Sequence, residues 1–282
     1  MFEKILVVTN LDEASKAALP RLLELKKLGT RQLKLVHPLD LGDSEGLYEP
    51  LLRLSQERLD AWKKEMEGWG FAVETQIPLG LPAAEVTALA AEQGASLVVV
   101  IGTAKTLLGD LFLEPLSHAV LHQARQTVLV LKAPATPGDL LAHIFFPTDF
   151  SDCASRALDR LRELVKAGAK RLTLCHVQDV ARLNPYLTDK IDEFNRIDEG
   201  RLADIKAELQ ALGAERVETD ICLGRPHREI LNRLAGSDVS LVVMGTQGRG
   251  FFGELMLGSV SHYVARHAPG PVLLEPLPAA EG

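Results

Sequence analysis

Residues 245–261 read GTQGRGFFGELMLGSVS, with Gly245, two residues, Gly248, nine residues, then Gly258 and Ser259. The apolar run Val239, Ser240, Leu241, Val242, Val243, Met244 stands before it and reads as a buried strand. SVSHYVARHA (259–268) stands after it and reads as a helix. Glycine lets a backbone curl and approach a ligand closely. The first free N–H groups of the following helix, with the Ser259 and Ser261 hydroxyls beside them, then form an anion site suited to the phosphates of a nucleotide.

Working outward, the landmarks around this stretch occur twice. KILVVTN (4–10) matches HIFFPTD (143–149), and LKLVHPLDL (33–41) matches LTLCHVQDV (172–180). LGLPAAEV (79–86) matches LGRPHREI (223–230), LVVVIGT (97–103) matches LVVMGT (241–246), and GDLFLEPLSHAV (109–120) matches GELMLGSVSHYV (253–264). TVLVLK (127–132) and PVLLEP (271–276) close the two series. Each copy alternates short runs of Val, Leu and Ile with longer charged segments of helical period, five runs per copy. Apolar strands of this kind are buried on both faces, which predicts a mostly parallel sheet covered by helices and joined by right-handed crossovers. APATPGD (133–139) is rich in Pro and Gly where the repeat restarts, so the boundary belongs near residue 138.

Bulk properties narrow the function. The 282 residues suffice for two domains of about 140. A net charge of −7 argues against nucleic acid or an anionic membrane as the partner. The opening MFEKILVVTN reads as a first strand rather than a secretion signal, and no apolar run reaches the roughly 18 residues of a membrane span, so the expected location is the cytoplasm. Cys153, Cys175 and Cys222 are scattered, without the short spacing of a metal site, and read as structural. Trp62 and Trp69, seven apart in the long polar segment of the first copy, are expected to pack on their own sheet. The segments around 42–49 and 184–192 are candidate flaps over a pocket.

With the repeat, the PTDFS turn (147–151) and the glycine–serine spacing of 245–259, the chain resembles the universal stress protein family as a tandem member, over nearly its whole length. The resemblance implies an α/β fold of two Rossmann-like (adenine nucleotide alpha hydrolase-like) domains, residues 1–138 and 139–282. Each would be a five-stranded parallel sheet in the order 3-2-1-4-5 with helices on both faces. Family domains commonly pair through the fifth strand, which implies an intramolecular pseudo-dimer and leaves a homodimer open. The glycine stretch matches the family's ATP-binding signature, implying ATP, with or without Mg²⁺, as the ligand.

In open sheets of this kind, ligands sit beyond the carboxyl ends of the strands where the strand order reverses. That puts the loop after the first strand of copy two opposite the glycine loop. The resemblance then assigns Asp149 to the ribose or adenine, Val177 to the adenine, and Gly245, Gly248, Gly258, Ser259, Val260 and Ser261 to the phosphates. Pro147 and Thr148 shape the same loop. Arg249 stands where it can neutralise phosphate charge. Competing readings are a turn or N-cap role for Asp149, core packing for Val177, a solvated Arg249, and a fold role for His262, which recurs as His118.

The first copy departs from the signature. Gly102 remains, but Lys105 stands in place of Gly248, Glu114 and Pro115 in place of Gly258 and Ser259, and Asn10 in place of Asp149. A carboxylate repels phosphate and proline lacks an N–H, so this copy is expected not to bind ATP in the family's manner. The resulting expectation is a cytoplasmic stress-response protein that binds one ATP, in its second domain, and serves as a nucleotide-dependent regulatory module for a protein partner. The alternatives are a slow ATPase or nucleotide-transferring enzyme on the same pocket, for which only Glu254 and His262 stand nearby as helpers, and a nucleotide-independent adaptor.

Overall fold

The apolar runs of each copy become strands because Val, Ile and Leu pack well on a pleated surface buried on both faces. The computed structural model describes residues 1–39, 48–78, 82–104, 111–112, 115–133, 138–179, 191–248 and 257–277. They fall into two units, one within residues 1–137 and the other within 138–277.

The first unit runs β1 (Lys4–Val8), α1 (Glu13–Ala18), β2 (Gln32–Val36), α2 (Tyr48–Gly68), β3 (Ala72–Gln76), α3 (Pro82–Glu92), β4 (Leu97–Ala104), β5 (Leu111–Phe112), α4 (Pro115–Gln123) and β6 (Thr127–Ala133). Its parallel strands lie in the order β3-β2-β1-β4-β6, the expected 3-2-1-4-5. A sixth, unexpected strand is added: β4 runs past Gly102 to Ala104, and β5 pairs antiparallel with that extension, Thr103 opposite Phe112. Helix α1 gives way at Leu19 to a 3-10 helix, Leu19–Leu28, because Pro20 has no N–H to continue the α-helical ladder. Trp62 is buried under α2, while Trp69 lies just beyond the end of that helix and is half-buried.

The second unit runs β7 (Ile144–Thr148), α5 (Asp152–Lys166), β8 (Arg171–Asp179), α6 (Ile191–Ala211), β9 (Arg216–Gly224), α7 (Pro226–Leu234), β10 (Leu241–Gly245), α8 (Ser259–His267) and β11 (Val272–Glu275). All five strands are parallel, in the order β9-β8-β7-β10-β11. Strands β7, β10 and β11 are buried along their whole length. Helix α5 packs on β10 and β11 with Cys153, Ala157, Leu161, Leu164 and Val165 on one face, at the spacing of a core-facing helix. The Arg160 guanidinium closes the outer side of that face by gripping the buried Glu275 carboxylate with two nitrogens, at 3.1 and 3.3 Å. Helices cover both faces of the sheets. No helix among the described residues is long and apolar enough to cross a membrane.

One device recurs in both units. After the first strand the backbone turns through a non-glycine residue with positive φ, Leu11 at 56° and Phe150 at 58°. The N–H of that residue donates to the preceding threonine hydroxyl, Thr9 or Thr148, at 3.0 Å in each case. A histidine just beyond or within the end of the second strand then donates from Nδ1 to the same threonine's carbonyl, His37 to Thr9 at 2.9 Å and His176 to Thr148 at 2.7 Å. Burial pushes the His37 pKa below its usual 6.5, against the opposing pull of the hydrogen bond to Thr9. Its folded pKa is therefore lower than its unfolded one, so the first unit loses stability as pH falls from 6.5 through the folded value. Acidification from neutral to about pH 5.5 is expected to lower the melting temperature of the wild type more than that of His37→Gln, whose amide can still donate to Thr9. Parallel acid curves for the two proteins would refute it.

Candidate functional site

Strand β7 hands the chain to β8 and β9 on one side, and the chain returns to β10 on the other. The order reverses between β7 and β10, and the carboxyl ends there diverge to leave a crevice. A cavity of about 590 Å³ occupies it, within the roughly 300–1,000 Å³ range of small-molecule sites. Its walls are the ends of β7 (Pro147, Thr148, Asp149), β8 (Cys175 to Asp179) and β10 (Met244, Gly245), the start of the glycine loop (Gln247, Gly248), and the first turn of α8 (Gly258 to Ser261). Phe194, Ile197, Asp198 and Arg201 of α6 close the far side, with Ala154, Pro226 and Ile230 beneath.

Ten of the eleven residues expected at the site therefore line one cavity: Pro147, Thr148, Asp149, Val177, Gly245, Gly248, Gly258, Ser259, Val260 and Ser261. Arg249 lies outside the described residues, as do Glu254 and most of the two candidate flaps. His262 is not among the lining residues.

The glycines of this wall are placed by close approach. A Cβ on Gly245 would lie 2.8 Å from the Cys153 Sγ and 2.9 Å from the Cys153 backbone carbon and oxygen. On Gly248 it would lie 2.7 Å from Asp149 Oδ2, so the two loops meet across the crevice at that point. On Gly258 it would lie 3.0 Å from the Thr246 carbonyl, to which the Gly258 N–H donates at 2.7 Å.

Gly258 is the N-cap of α8 and no side chain caps the helix, so the opening N–H groups at Ser259, Val260 and Ser261 face the cavity end with the positive pole of the helix behind them. Ser261 contributes its N–H in this way, but its hydroxyl serves the loop. Its oxygen is 2.5 Å from the Thr246 carbonyl and 2.9 Å from that of Gly258, and it has one hydrogen to give.

Asp149 takes part of the competing role read from the sequence. Its Oδ1 accepts the Ser151 N–H at 3.1 Å, which makes it a turn residue, while the N-cap of α5 is Ser151, accepting from Ala154 at 3.2 Å. The Oδ2 side faces Gly248. Val177 serves both readings at once, being 8% exposed and part of the cavity wall.

Several lining residues were not singled out from the sequence. Asp198 on α6 is 9% exposed, and its carboxylate gathers Gln178 Nε2 at 3.2 Å, Arg201 at 3.3 Å and the His176 ring at 3.4 Å. Arg201 also stands over the Phe150 ring, 5.2 Å from its centroid, and Phe150 packs on His176. The available signal was an offset: α2 and α6 are both 21 residues long, and laying one on the other would have marked Asp198 and Arg201.

Burial and the neighbouring Asp220 push the Cys175 thiol far above the ordinary range, and burial also raises Cys222. Both are held as thiols, so the cavity wall carries no ready sulfur nucleophile there. No group of three or more metal-ligating side chains occurs among the described residues. The arrangement is thus a largely apolar cleft with an electropositive helix end at one side and carboxylate, amide and guanidinium groups at the other.

Comparison with known proteins agrees with this architecture. The model of the universal stress protein family matches residues 1–132 and again 141–276. Universal stress protein MJ0577 of Methanocaldococcus jannaschii is 31% identical over 150 residues, covering 46% of this chain and 92% of that protein. A universal stress protein of Thermus aquaticus is 36% identical over 135 residues, covering 46% of this chain and 96% of that protein. Over the whole chain, the crystal structure of a universal stress protein from Archaeoglobus fulgidus superposes with a TM-score of 0.76 at 25% identity, covering 97% of this chain and 98% of that one.

Proposed function

The chain belongs to the universal stress protein family, twice over, and from that premise we propose that it is a cytoplasmic stress-response protein binding ATP in its second unit. Nucleotide occupancy would govern its surface towards a regulatory protein partner. The observation that carries this reading is the crevice itself: the glycine loop, the uncapped start of α8 and the Asp149 turn converge on one cavity of about 590 Å³. The start of α8 and the glycine loop suit the phosphates. Asp149, Val177 and the α6 wall suit the nucleoside, with carboxylates to accept from hydroxyl or amino groups.

The first unit supports a single site. There β4 continues to Ala104 and pairs with β5, and α4 begins at Pro115, which offers no N–H at its first position. Mg²⁺, where it accompanies the triphosphate, would be held mainly by phosphate oxygens and water, a habit that needs no protein cage. Among the described residues, the groups at the phosphate end are backbone N–H groups and the serines of the first turn of α8 rather than a poised base, which favours binding over turnover. Calorimetric titration with ATP is expected to saturate near one nucleotide per chain, and mass spectrometry of gently purified protein to reveal an adenine nucleotide. Saturation at two per chain, or no heat at millimolar ATP, would overturn the reading.

A further inference from the structure

The two copies differ a second time, away from the glycine loop. Helix α2 starts at Tyr48 and α6 at Ile191, each 21 residues long, so the eighth position is Ser55 in one and Asp198 in the other, and the eleventh is Arg58 and Arg201. Counting two residues on from His37 and His176 sets Leu39 against Gln178. The frame around these positions is common to both copies: the positive-φ turn, the histidine on the threonine carbonyl, and an arginine reaching the turn, Arg58 by a 2.9 Å bond to the Leu11 carbonyl and Arg201 over the Phe150 ring. Only the second copy adds Asp198 and Gln178. The frame folds without them, and burying a carboxylate is costly, so this pair answers to the cavity it lines rather than to the fold.

The geometry gives the pair a direction. Gln178 Nε2 donates to Asp198 Oδ2 at 3.2 Å, and an ionised carboxylate only accepts, so Asp198 fixes which way round the amide stands. Among the described residues the amide's remaining acceptor, Oε1, has no hydrogen-bond donor, and Gln178 lines the cavity. Arg201 and His176, at 3.3 and 3.4 Å, hold the carboxylate in place. Strand β8 stands two strands from β10, roughly 10 Å from the phosphate end, which is the span from the phosphates of a nucleotide to its base.

We propose that Gln178 reads the nucleobase and that Asp198 is its positioning residue, so that the pocket selects a base presenting an amino donor over one presenting a carbonyl in the same place. A 6-aminopurine fits and a 6-oxopurine leaves two acceptors face to face. This rests on the nucleotide reading of the site. The test is calorimetry of the full chain with ATP and with inosine triphosphate, in wild type, Asp198→Asn and Gln178→Leu. Wild type is expected to favour ATP about tenfold, the worth of one buried hydrogen bond made or opposed. In Asp198→Asn the ratio falls to about one, because an asparagine amide donates as well as accepts and lets Gln178 turn over. In Gln178→Leu, which carries the side chain of the first copy, the same loss is expected.

Affinity for inorganic triphosphate, held at the other end, should stay as in wild type in both variants, which a general loosening of the site would not allow. Should Asp198→Asn fail to fold, Gln178→Leu decides. A wild-type ratio of about one, or a ratio unmoved in both variants, overturns this inference and leaves nucleotide binding standing. Failure of wild type to bind either nucleotide overturns both.

Discussion

Replacing Gly248 with lysine is expected to weaken ATP binding at least 100-fold, about 2.7 kcal/mol, with little loss of stability. A Cβ at this position lies 2.7 Å from Asp149 Oδ2, the point where the two loops of the crevice meet. The obstructing atom ends a side chain and can move aside, so the fold tolerates the change. It cannot move freely, since Oδ1 of the same carboxylate holds the Ser151 N–H at 3.1 Å, a bond worth about 1 kcal/mol. The lysine stem is then expected to run into the cavity and its ammonium to pair with Asp149, taking up the carboxylate that the proposed function gives to the nucleoside. Lys105 stands at the corresponding position of the first copy. Gly248→Ala separates the two effects: it adds the Cβ without the charge and should cost about tenfold. Titrations giving wild-type affinity for Gly248→Lys would remove the glycine loop from the site.

Gly245→Ala should act on stability first. Here the added Cβ meets the Cys153 Sγ at 2.8 Å and the Cys153 carbonyl carbon and oxygen at 2.9 Å. Backbone in the first turn of α5 cannot step aside without lifting that helix from β10, against a face buried from Cys153 to Val165. The expected cost is about 3 kcal/mol, at the upper end of overpacking, lowering the melting temperature of the second unit by roughly 10 °C. Adding Cys153→Ala removes the sulfur but not the backbone atoms, so it should recover only part of the loss. Full recovery in the double variant, or an unchanged melting curve in the single one, would contradict the close approach.

Much of this was readable in the chain. The parallel sheet followed from runs such as Val242, Val243 and Met244, since parallel strands buried on both faces leave continuous apolar stretches, and the duplication supplied each run twice; the strand order came only with the family resemblance. The glycine side of the pocket was readable because glycine permits close backbone approach, while the Asp149 and Val177 side came from the topology of open sheets and the family resemblance. What escaped has physical causes. Strand β5 is two residues long, too short for any periodicity. The change from α1 to a 3-10 helix depends on the single Pro20. The offset between α2 and α6 marks Asp198 as a position where the copies differ, but its role emerges only once α6 lies against the end of β8, because its partners Gln178 and His176 are about twenty residues away in the chain and adjacent only in the fold. Asp149 had two readings, and its two oxygens divide them between the turn and the crevice.

The prolonged β4 has an engineering consequence. In the second unit β10 ends at Gly245, and Gln247 and Gly248 line the cavity; in the first, Thr103 and Ala104 continue the strand and form a ladder with Phe112 and Leu111. Converting the first copy into a second receptor therefore calls for transplanting the whole connector, the counterpart of 246–261, in one piece. Point reversions at Lys105 and Glu114 would leave the ladder of Thr103 and Ala104 with Phe112 and Leu111 zipped.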